Sequence, residues 1–172
     1  MSTPNKVVAI FEIPKESSPT FESELTLALD EINDPGNLGT ILRLADWFGI
    51  KEIVCSTNTV DVYNPKVVQS TMGSISRVNV YYGDLPAWCA EAKSKGILLA
   101  GTFMEGDSVY DLKPCKRLLI MGNEANGVST EIENLLEEKI TIPAFTEEGP
   151  ESLNVAMAAG IIVSQIAGLS LK

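Results

Sequence analysis

Histidine is absent from this chain, which excludes every acid–base or nucleophilic mechanism that needs an imidazole. Cysteine is scarce, and the three residues of this type, Cys55, Cys89 and Cys115, are far apart and form no Cys-x-x-Cys pair. A metal site or a disulfide framework is therefore not expected, and a reducing cytoplasm fits this usage. The chain also has neither a Gly-x-Gly-x-x-Gly fingerprint nor a P-loop, which argues against a nucleotide-binding α/β module of either of these types.

Long hydrophobic runs are nearly lacking as well. Residues 1–6 are polar and no signal peptide follows them. Residues 153–171 carry no charge and are almost long enough to span a bilayer, but four polar residues interrupt them: Asn154, Ser164, Gln165 and Ser170. We therefore predict no membrane segment there, but a helix covered by a sheet on one side and by a second subunit on the other.

Length and composition indicate one globular domain, residues 1–172, because 45% of the residues are hydrophobic and 21% are charged. Strand and helix patterns alternate along the chain. Strands are predicted at residues 7–13, 25–31, 52–56, 78–82, 97–103, 118–121 and 139–142. Helices are predicted from residue 37, at 65–71, 85–95 and 130–138, and from residue 152. This alternation predicts an α/β fold with a mostly parallel sheet and helices on both faces.

The first specialised segment, residues 34–43, begins with turn chemistry, Asp-Pro-Gly. Asn37 is a good N-cap for the helix that follows. Arg43 lies off the apolar face of that helix, beside Thr40 and Trp47. Two interpretations stay open: a solvated Arg43 paired with Asp46, which spacing alone favours, or a functional guanidinium near the carboxyl end of a strand.

The second and third specialised segments also follow predicted strands. In the second, a buried strand ends in a turn that contains Gly122, Asn123 and Gly127 and presents the carboxylate of Glu124. Such a turn is typical of a ligand-binding loop, and a purely structural turn is the alternative. In the third, a short strand ends at residue 143, a polar loop follows, and Ser152 is predicted to cap the last helix, with Asn154 at its mouth.

Together the three segments resemble the SpoU (TrmH-like) branch of the SPOUT superfamily, the RNA ribose 2′-O-methyltransferases. The family's Asn-x-Gly-x-x-x-Arg core matches residues 37–43, its Gly-x-Glu-x-x-Gly-type loop matches 122–127, and its Ile-Pro and Ser-Leu-Asn-Val-Ala pieces match 142–143 and 152–156. The resemblance covers residues 25–169. It implies 2′-O-methylation of a ribose in tRNA or rRNA, a deep C-terminal trefoil knot around Gly122 and Ser152, and a homodimer through the C-terminal helix.

The resemblance also implies S-adenosyl-L-methionine as cofactor and assigns roles to individual residues. The cofactor contacts carried over by position are Thr102, Phe103, Gly122, Ile142 and Leu153. The catalytic set carried over is Asn37, Arg43, Glu124, Ser152 and Asn154. Within it we expect Arg43 to orient or activate the hydroxyl, Ser152 and Asn154 to hold the loop and the hydroxyl, and Glu124 to anchor the second loop through backbone N–H groups.

The charge of the chain departs from this expectation. A net charge of −10 and a pI near 4.5 are unfavourable for a protein that binds RNA phosphates. Two explanations stay open. The chain is either a catalytic domain cut from a longer protein whose other part is basic, or a small enzyme that concentrates its basic residues around the cleft. The polar residues at the start of the chain favour the first explanation. The basic residues of the second would be Arg43, Lys66, Arg77, Lys113, Lys116 and Arg117. The alternative function is a noncatalytic knotted module that binds S-adenosylmethionine or RNA, while the Ser-Leu-Asn motif argues against methylation of a base nitrogen.

Overall fold

A computed structural model describes residues 10–13, 18–146, 148–149 and 151–169. In that part of the chain a six-stranded sheet has the order β3-β2-β1-β5-β4-β6, and every pairing in it is parallel. The strands are β1 (Leu25–Leu29), β2 (Glu52–Ser56), β3 (Asn79–Gly83), β4 (Leu98–Ser108), β5 (Arg117–Met121) and β6 (Glu138–Thr141). The helices are α1 (Pro35–Trp47), α2 (Pro65–Thr71), α3 (Leu85–Ser94), α4 (Thr130–Glu133) and α5 (Val155–Leu169).

The two faces of the sheet are covered by different helices. Along β1, Leu27 and Leu29 pack into a core with α1, α2 and α5, whereas Ala28 packs into a second core with α3 and α4. This alternation follows from the two-residue period of a strand, and burial on both faces explains why β1 and β5 consist almost entirely of apolar residues. The predicted parallel α/β architecture is therefore confirmed.

Several predicted boundaries are wrong. Residues 10–13 form no strand, and the rest of the predicted strand, residues 7–9, lies outside the described residues, as do residues 14–17 of the loop after it. Helix α4 ends at Glu133 rather than near residue 138, because the backbone N–H of Glu137 bonds to the carbonyl of Leu99 and Glu138 begins β6. Strand β4 continues to Ser108, since its second half pairs again with β6 after a register shift between Thr102 and Asp107.

None of the helices in the described residues combines the length and the hydropathy that a bilayer span requires. The uncharged α5 is a core helix: its residues Val155, Ala159 and Val163 are buried in the core that also contains α1 and residues of β1 and β5. This agrees with the prediction for the side of the helix that faces the protein.

The three cysteines differ in exposure, and this gives a testable expectation. Burial raises the pKa of the Cys55 thiol, raises that of Cys89 to about 12, and raises that of the exposed Cys115 as well. Because only the thiolate is reactive, we expect one thiol per native chain, that of Cys115, to react with DTNB at mildly alkaline pH, and all three to react in denaturant. A Cys115→Ser variant should show no fast native reaction; two fast thiols in the native protein would contradict the packing of β2 and α3.

Candidate active site

Helix α1 begins directly behind the carboxyl end of β1. Asp34 caps it, with Oδ1 accepting the backbone N–H of Asn37 at 2.8 Å, and Pro35 occupies the first helical position. Asn37 is therefore a residue of the first turn and not the predicted cap. The physical reason is Pro35, because proline lacks an N–H and has a helical φ, so it favours the first helical position.

The loop after β5 is organised by Asn123. Its Oδ1 accepts the backbone N–H groups of Ala125 and Asn126 at 2.8 and 3.1 Å, and its backbone exchanges two hydrogen bonds of 2.9 Å with Gly127. A short amide side chain reaches its own loop more readily than a glutamate does. The expectation that Glu124 anchors this loop through backbone N–H groups is thus wrong, and the Glu124 carboxylate is directed elsewhere.

Glu124 and Asn154 both bond to Asn37, so residues from all three motifs meet. Asn37 Nδ2 donates to Glu124 Oε1 at 2.8 Å, and Asn37 Oδ1 accepts from Asn154 Nδ2 at 2.9 Å. Asn37 uses both ends of its amide, and only an amide can donate from one end and accept at the other in this way. We call Glu124, Asn37 and Asn154 the motif hydrogen-bond chain.

Asn154 also caps α5. Its Oδ1 accepts the backbone N–H groups of Ala156 and Met157 at 2.9 and 3.3 Å, which leaves its Nδ2 free to donate to Asn37. The prediction that Ser152 caps this helix is wrong, because α5 starts at Val155 and Ser152 lies in the exposed loop before it. The start of α5 is therefore coupled to the first turn of α1.

Two acidic residues after β1, which the sequence did not single out, join the loops. The buried Asp30 accepts the backbone N–H of Ser129 at 2.8 Å. Glu31 has a φ of 59°, and its carbonyl accepts Asn123 Nδ2 at 2.8 Å while its carboxylate accepts Asn58 Nδ2 at 2.8 Å. A non-glycine residue in the left-handed region is strained and persists only where its surroundings hold it. The one sequence signal is that both carboxylates follow a strand that is almost entirely apolar.

Arg43 is exposed on α1 and faces an open cleft of about 520 Å³ between α1 and α2. The cleft, which we call the α1–α2 cleft, is lined by Asp34, Gly36, Asn37, Thr40, Arg43, Lys66, Gln69, Ser70 and Met72. Asp46 is paired with Arg77 at 2.7 Å rather than with Arg43. The hydrogen bonds from Arg77 and then from Ser74 hold the pKa of Asp46 below its usual value. In the described residues Arg43 has no acidic partner, so the alternative pairing with Asp46 is wrong.

The glycine of the first motif allows α1 and α2 to approach. A Cβ atom on Gly39 would overlap the side chain of Ser70. The Ser70 hydroxyl lies against α1 and donates to the carbonyls of Val67 and Pro35 at 2.9 and 3.2 Å. Helix α2 is therefore held against the beginning of α1, beside Asn37.

Only part of the expected basic cluster lies at this cleft. Arg43 and Lys66 line it, whereas Arg77 is engaged by Asp46. Arg117 is buried at the first position of β5, paired with Glu138 at 3.1 Å, and donates to the carbonyl of Lys113. Lys113 and Lys116 precede that strand, at the opposite edge of the sheet from the motif loops. The concentration of six basic residues around one cleft is therefore not what the structure shows.

The candidate cofactor residues lie at the carboxyl edge formed by β5, β4 and β6. Thr102 and Phe103 lie at the register shift in β4, Gly122 directly follows β5, and Ile142 directly follows β6. Leu153, in the loop before α5, is 48% exposed. The first four are brought to one edge by adjacent parallel strands, in the order that the topology dictates.

Gly122 leaves no room for a side chain, and we expect Gly122→Ala to destabilise the protein. A Cβ atom there would overlap the backbone of Gly127 and Val128, which cannot rotate away as a side chain can. The free energy of unfolding in urea should fall by about 1–3 kcal/mol. Gly160→Ala is the matched control, because nothing lies within 4 Å of a Cβ at Gly160 and alanine favours a helix. Equal stability of the two variants would contradict the close approach at Gly122.

Known proteins are similar to this chain in sequence and in fold. A model of the SpoU rRNA methylase family matches residues 24–164. The 23S rRNA (guanosine(2553)-2′-O)-methyltransferase RlmP of Bacillus subtilis is 33% identical, over 96% of this chain and 66% of that protein. The 23S rRNA (uridine(2479)-2′-O)-methyltransferase of Streptomyces viridochromogenes is also 33% identical, over 93% of this chain and 59% of that protein.

The crystal structure of the SpoU methyltransferase AviRb from Streptomyces viridochromogenes in complex with AdoMet is similar to this chain with a TM-score of 0.77 and 30% identity. The similarity covers 85% of this chain and 60% of that one. The chain thus spans less than two thirds of the length of these relatives.

Proposed function

This chain belongs to the SpoU rRNA methylase family, and on that basis we propose that it transfers a methyl group from S-adenosylmethionine to a ribose 2′-hydroxyl of tRNA or rRNA. The observation that carries the proposal is the motif hydrogen-bond chain, which joins residues 37, 124 and 154 beside Arg43, a cation with no acidic partner in the described part of the chain. Structural turns alone would not need side chains from three distant loops to meet at one point.

The residues at the carboxyl edge fit the proposed cofactor. Phe103 and Ile142 are half-buried and Leu153 is half-exposed, so they offer apolar surface to an adenine ring, and the ammonium of Lys139 lies 4.7 Å from the centre of the Phe103 ring. Gly122 contributes bare backbone, and Thr102 lies where β4 separates from β6. We propose that these five residues hold S-adenosylmethionine. When bound, it supplies a methyl group that its positive sulfur has already activated.

Arg43 has the principal chemical role in this proposal. A guanidinium keeps its proton in proteins, so Arg43 is assigned to orient the ribose through a neighbouring phosphate and to stabilise the developing alkoxide, not to act as a base. Asn37 and Asn154 hold the loops on either side in place. We assign Ser152, two residues before Asn154, to hold the loop and the hydroxyl. Glu124 first holds Asn37, and it is also the carboxylate of this set that can accept the hydroxyl proton.

We propose that the path of the chain between β6 and α5 forms the deep trefoil knot of the family. Strand β6 is at one edge of the sheet, whereas α5 packs on α1, beyond β4 and β5. The chain therefore passes from the β6 edge of the sheet back to α1 between these two elements, which supports the proposal. The described residues form one unit around a single sheet, which supports the proposal of one catalytic domain, and three unbridged cysteines support a cytoplasmic location.

We further propose a homodimer through α5 and the neighbouring surface of α1. Met157 on α5 is 63% exposed and Trp47 on α1 is 85% exposed, and space is open beside Gly160. Gly160→Leu should fit within one chain but obstruct a partner helix, so we expect a monomer by size-exclusion chromatography with light scattering and an unchanged circular dichroism spectrum. The unfolding temperature should fall, because dissociation removes the stabilisation that a dimer supplies. Ala90→Leu, at an exposed position of α3, should leave the dimer intact. A monomeric unsubstituted chain would overturn this proposal.

The function is tested by transfer of labelled methyl from S-adenosylmethionine to unmodified tRNA and rRNA, followed by digestion to nucleosides. Label in a 2′-O-methylnucleoside supports the proposed reaction and identifies the base attached to the modified ribose. Label in a methylated base would show that the chain methylates a base nitrogen and not a ribose. Cofactor binding by calorimetry without any transfer would favour the noncatalytic module.

A further inference from the structure

The α1–α2 cleft extends beyond the residues to which the proposed reaction assigns a role. One end holds Asn37 and Arg43, whereas Lys66 and Gln69 of α2 and Met72, which directly follows that helix, line the other. Neither the motifs nor the family roles account for the residues on α2. Met72 is exposed even though it is large and apolar, and it has a left-handed φ of 51°.

Lys66 and Arg43 are the two cations of this cleft, and neither has a carboxylate partner among the described residues. Among the other cations of that part of the chain, Arg77, Lys93, Lys95, Arg117 and Lys139 are paired, whereas Lys51, Lys113 and Lys116 have no carboxylate partner there but lie outside the cleft. Asp34 also lines the cleft and accepts the backbone N–H of Asn37, so two cations face one carboxylate there. On a chain of net charge −10, two unpaired cations in one cleft make a local site for an anion.

Lys66 is carried by a helix whose position is fixed relative to the motif hydrogen-bond chain. Asn64 caps α2 and accepts the backbone N–H of Lys66 at 2.9 Å. Ser70 on the same helix donates to the carbonyl of Pro35, two residues before Asn37. A cation on a rigid element can define the register of a bound chain, which a cation on a loose loop cannot.

We propose that Lys66 binds the backbone phosphate next to the target ribose, so that the α1–α2 cleft is a subsite for a single-stranded RNA backbone. This inference rests on the proposed function, because it takes Arg43 as the residue beside the reacting ribose. Phosphate contacts carry no sequence information but fix the register of a nucleic acid on a protein. Lys66 is thus a positioning residue that determines which ribose of the strand reaches Arg43.

The test compares Lys66→Ala and Lys66→Arg with Lys51→Ala, which removes an exposed lysine outside the cleft. The probe is a fluorescein-labelled, short single-stranded RNA, whose binding is followed by anisotropy between about 50 and 200 mM salt. Methyl transfer is measured separately, with RNA at saturating and limiting concentrations. Calorimetric binding of S-adenosylmethionine and thermal unfolding check that the cofactor loops and the fold are intact.

We expect Lys66→Ala to weaken RNA binding about tenfold at low salt and to flatten the slope of log affinity against log salt by about 0.7, the value for one phosphate on a single strand. The KM for RNA should rise. The kcat at saturating RNA and the affinity for the cofactor should not change. Lys66→Arg should restore most of the binding, and Lys51→Ala should resemble the unsubstituted protein.

If Lys66→Ala leaves the RNA affinity and the salt slope unchanged, the subsite is wrong even if methyl transfer is observed. Equal losses of RNA affinity in Lys66→Ala and Lys51→Ala would also overturn it. Conversely, a protein that binds RNA through Lys66 but transfers no methyl would keep Lys66 as a contact to the RNA backbone, but it would reject the proposed reaction and with it the position of that contact beside a target ribose. Absence of RNA binding by the unsubstituted chain would reject the subsite directly.

Discussion

Arg43→Ala is expected to lower kcat for methyl transfer by about a hundredfold to a thousandfold, the range seen when one group that stabilises developing oxyanion charge is removed. The unfolding temperature should hardly change, because Arg43 is exposed and has no acidic partner among the described residues. Methyl transfer at saturating RNA, thermal unfolding and cofactor calorimetry measure kcat, the unfolding temperature and the cofactor affinity on the same preparation.

Arg43→Lys separates charge from geometry. Lysine keeps the positive charge but lacks the planar fork that can bind a phosphate and a ribose oxygen together, so we expect partial activity. Lys51→Ala is the control for loss of one exposed cation. Full transfer activity in a folded Arg43→Ala protein that still binds cofactor would refute the assigned role. Arg43 would then be only a solvated residue of the helix.

A double-mutant cycle on the motif hydrogen-bond chain should show strong non-additivity. Asn37→Ala removes the bonds to Glu124 and Asn154, whereas Asn154→Asp keeps an oxygen to cap α5 but loses the N–H that reaches Asn37. We expect each single substitution to lower kcat/KM by about a hundredfold and the double variant to lose little more, because residues that act as one unit are not additive.

The choice of aspartate at position 154 makes this cycle informative. An alanine there would also remove the helix cap and lower stability by about 1 kcal/mol, which would mix folding with chemistry. Unfolding in urea should confirm that Asn154→Asp retains the stability of the parent. Losses that simply multiply in the double variant would show that Asn37 and Asn154 act independently, against the chain of hydrogen bonds.

Local patterns in the sequence predicted most of the elements. The bounds of β2 and α2 agree with the prediction, because each is punctuated by turn residues and each pattern is completed within a few residues. The prediction failed for α4 and β4, where Glu137 and the residues beyond Thr102 are held by strands distant in sequence. Helical or strand propensity cannot report such a partner.

The candidate site divides in the same way. Sequence motifs predicted that Asn37, Arg43, Glu124 and Asn154 matter together. They did not predict that Asn123 holds the second loop, that Asn154 rather than Ser152 caps α5, or that Asp46 pairs with Arg77. Each of these errors exchanges one polar neighbour for another that the sequence pattern cannot distinguish.

The sequence by itself determined the buried strands, the turns that follow them and the kinds of side chain presented there, because these depend on residue spacing within one element. The tertiary structure alone decided which of those polar groups meet. Asn37 reaches Glu124 and Asn154 only because the order β3-β2-β1-β5-β4-β6 brings β5 beside β1 and returns α5 to α1. That order depends on packing between distant elements, and no periodicity along the chain specifies it.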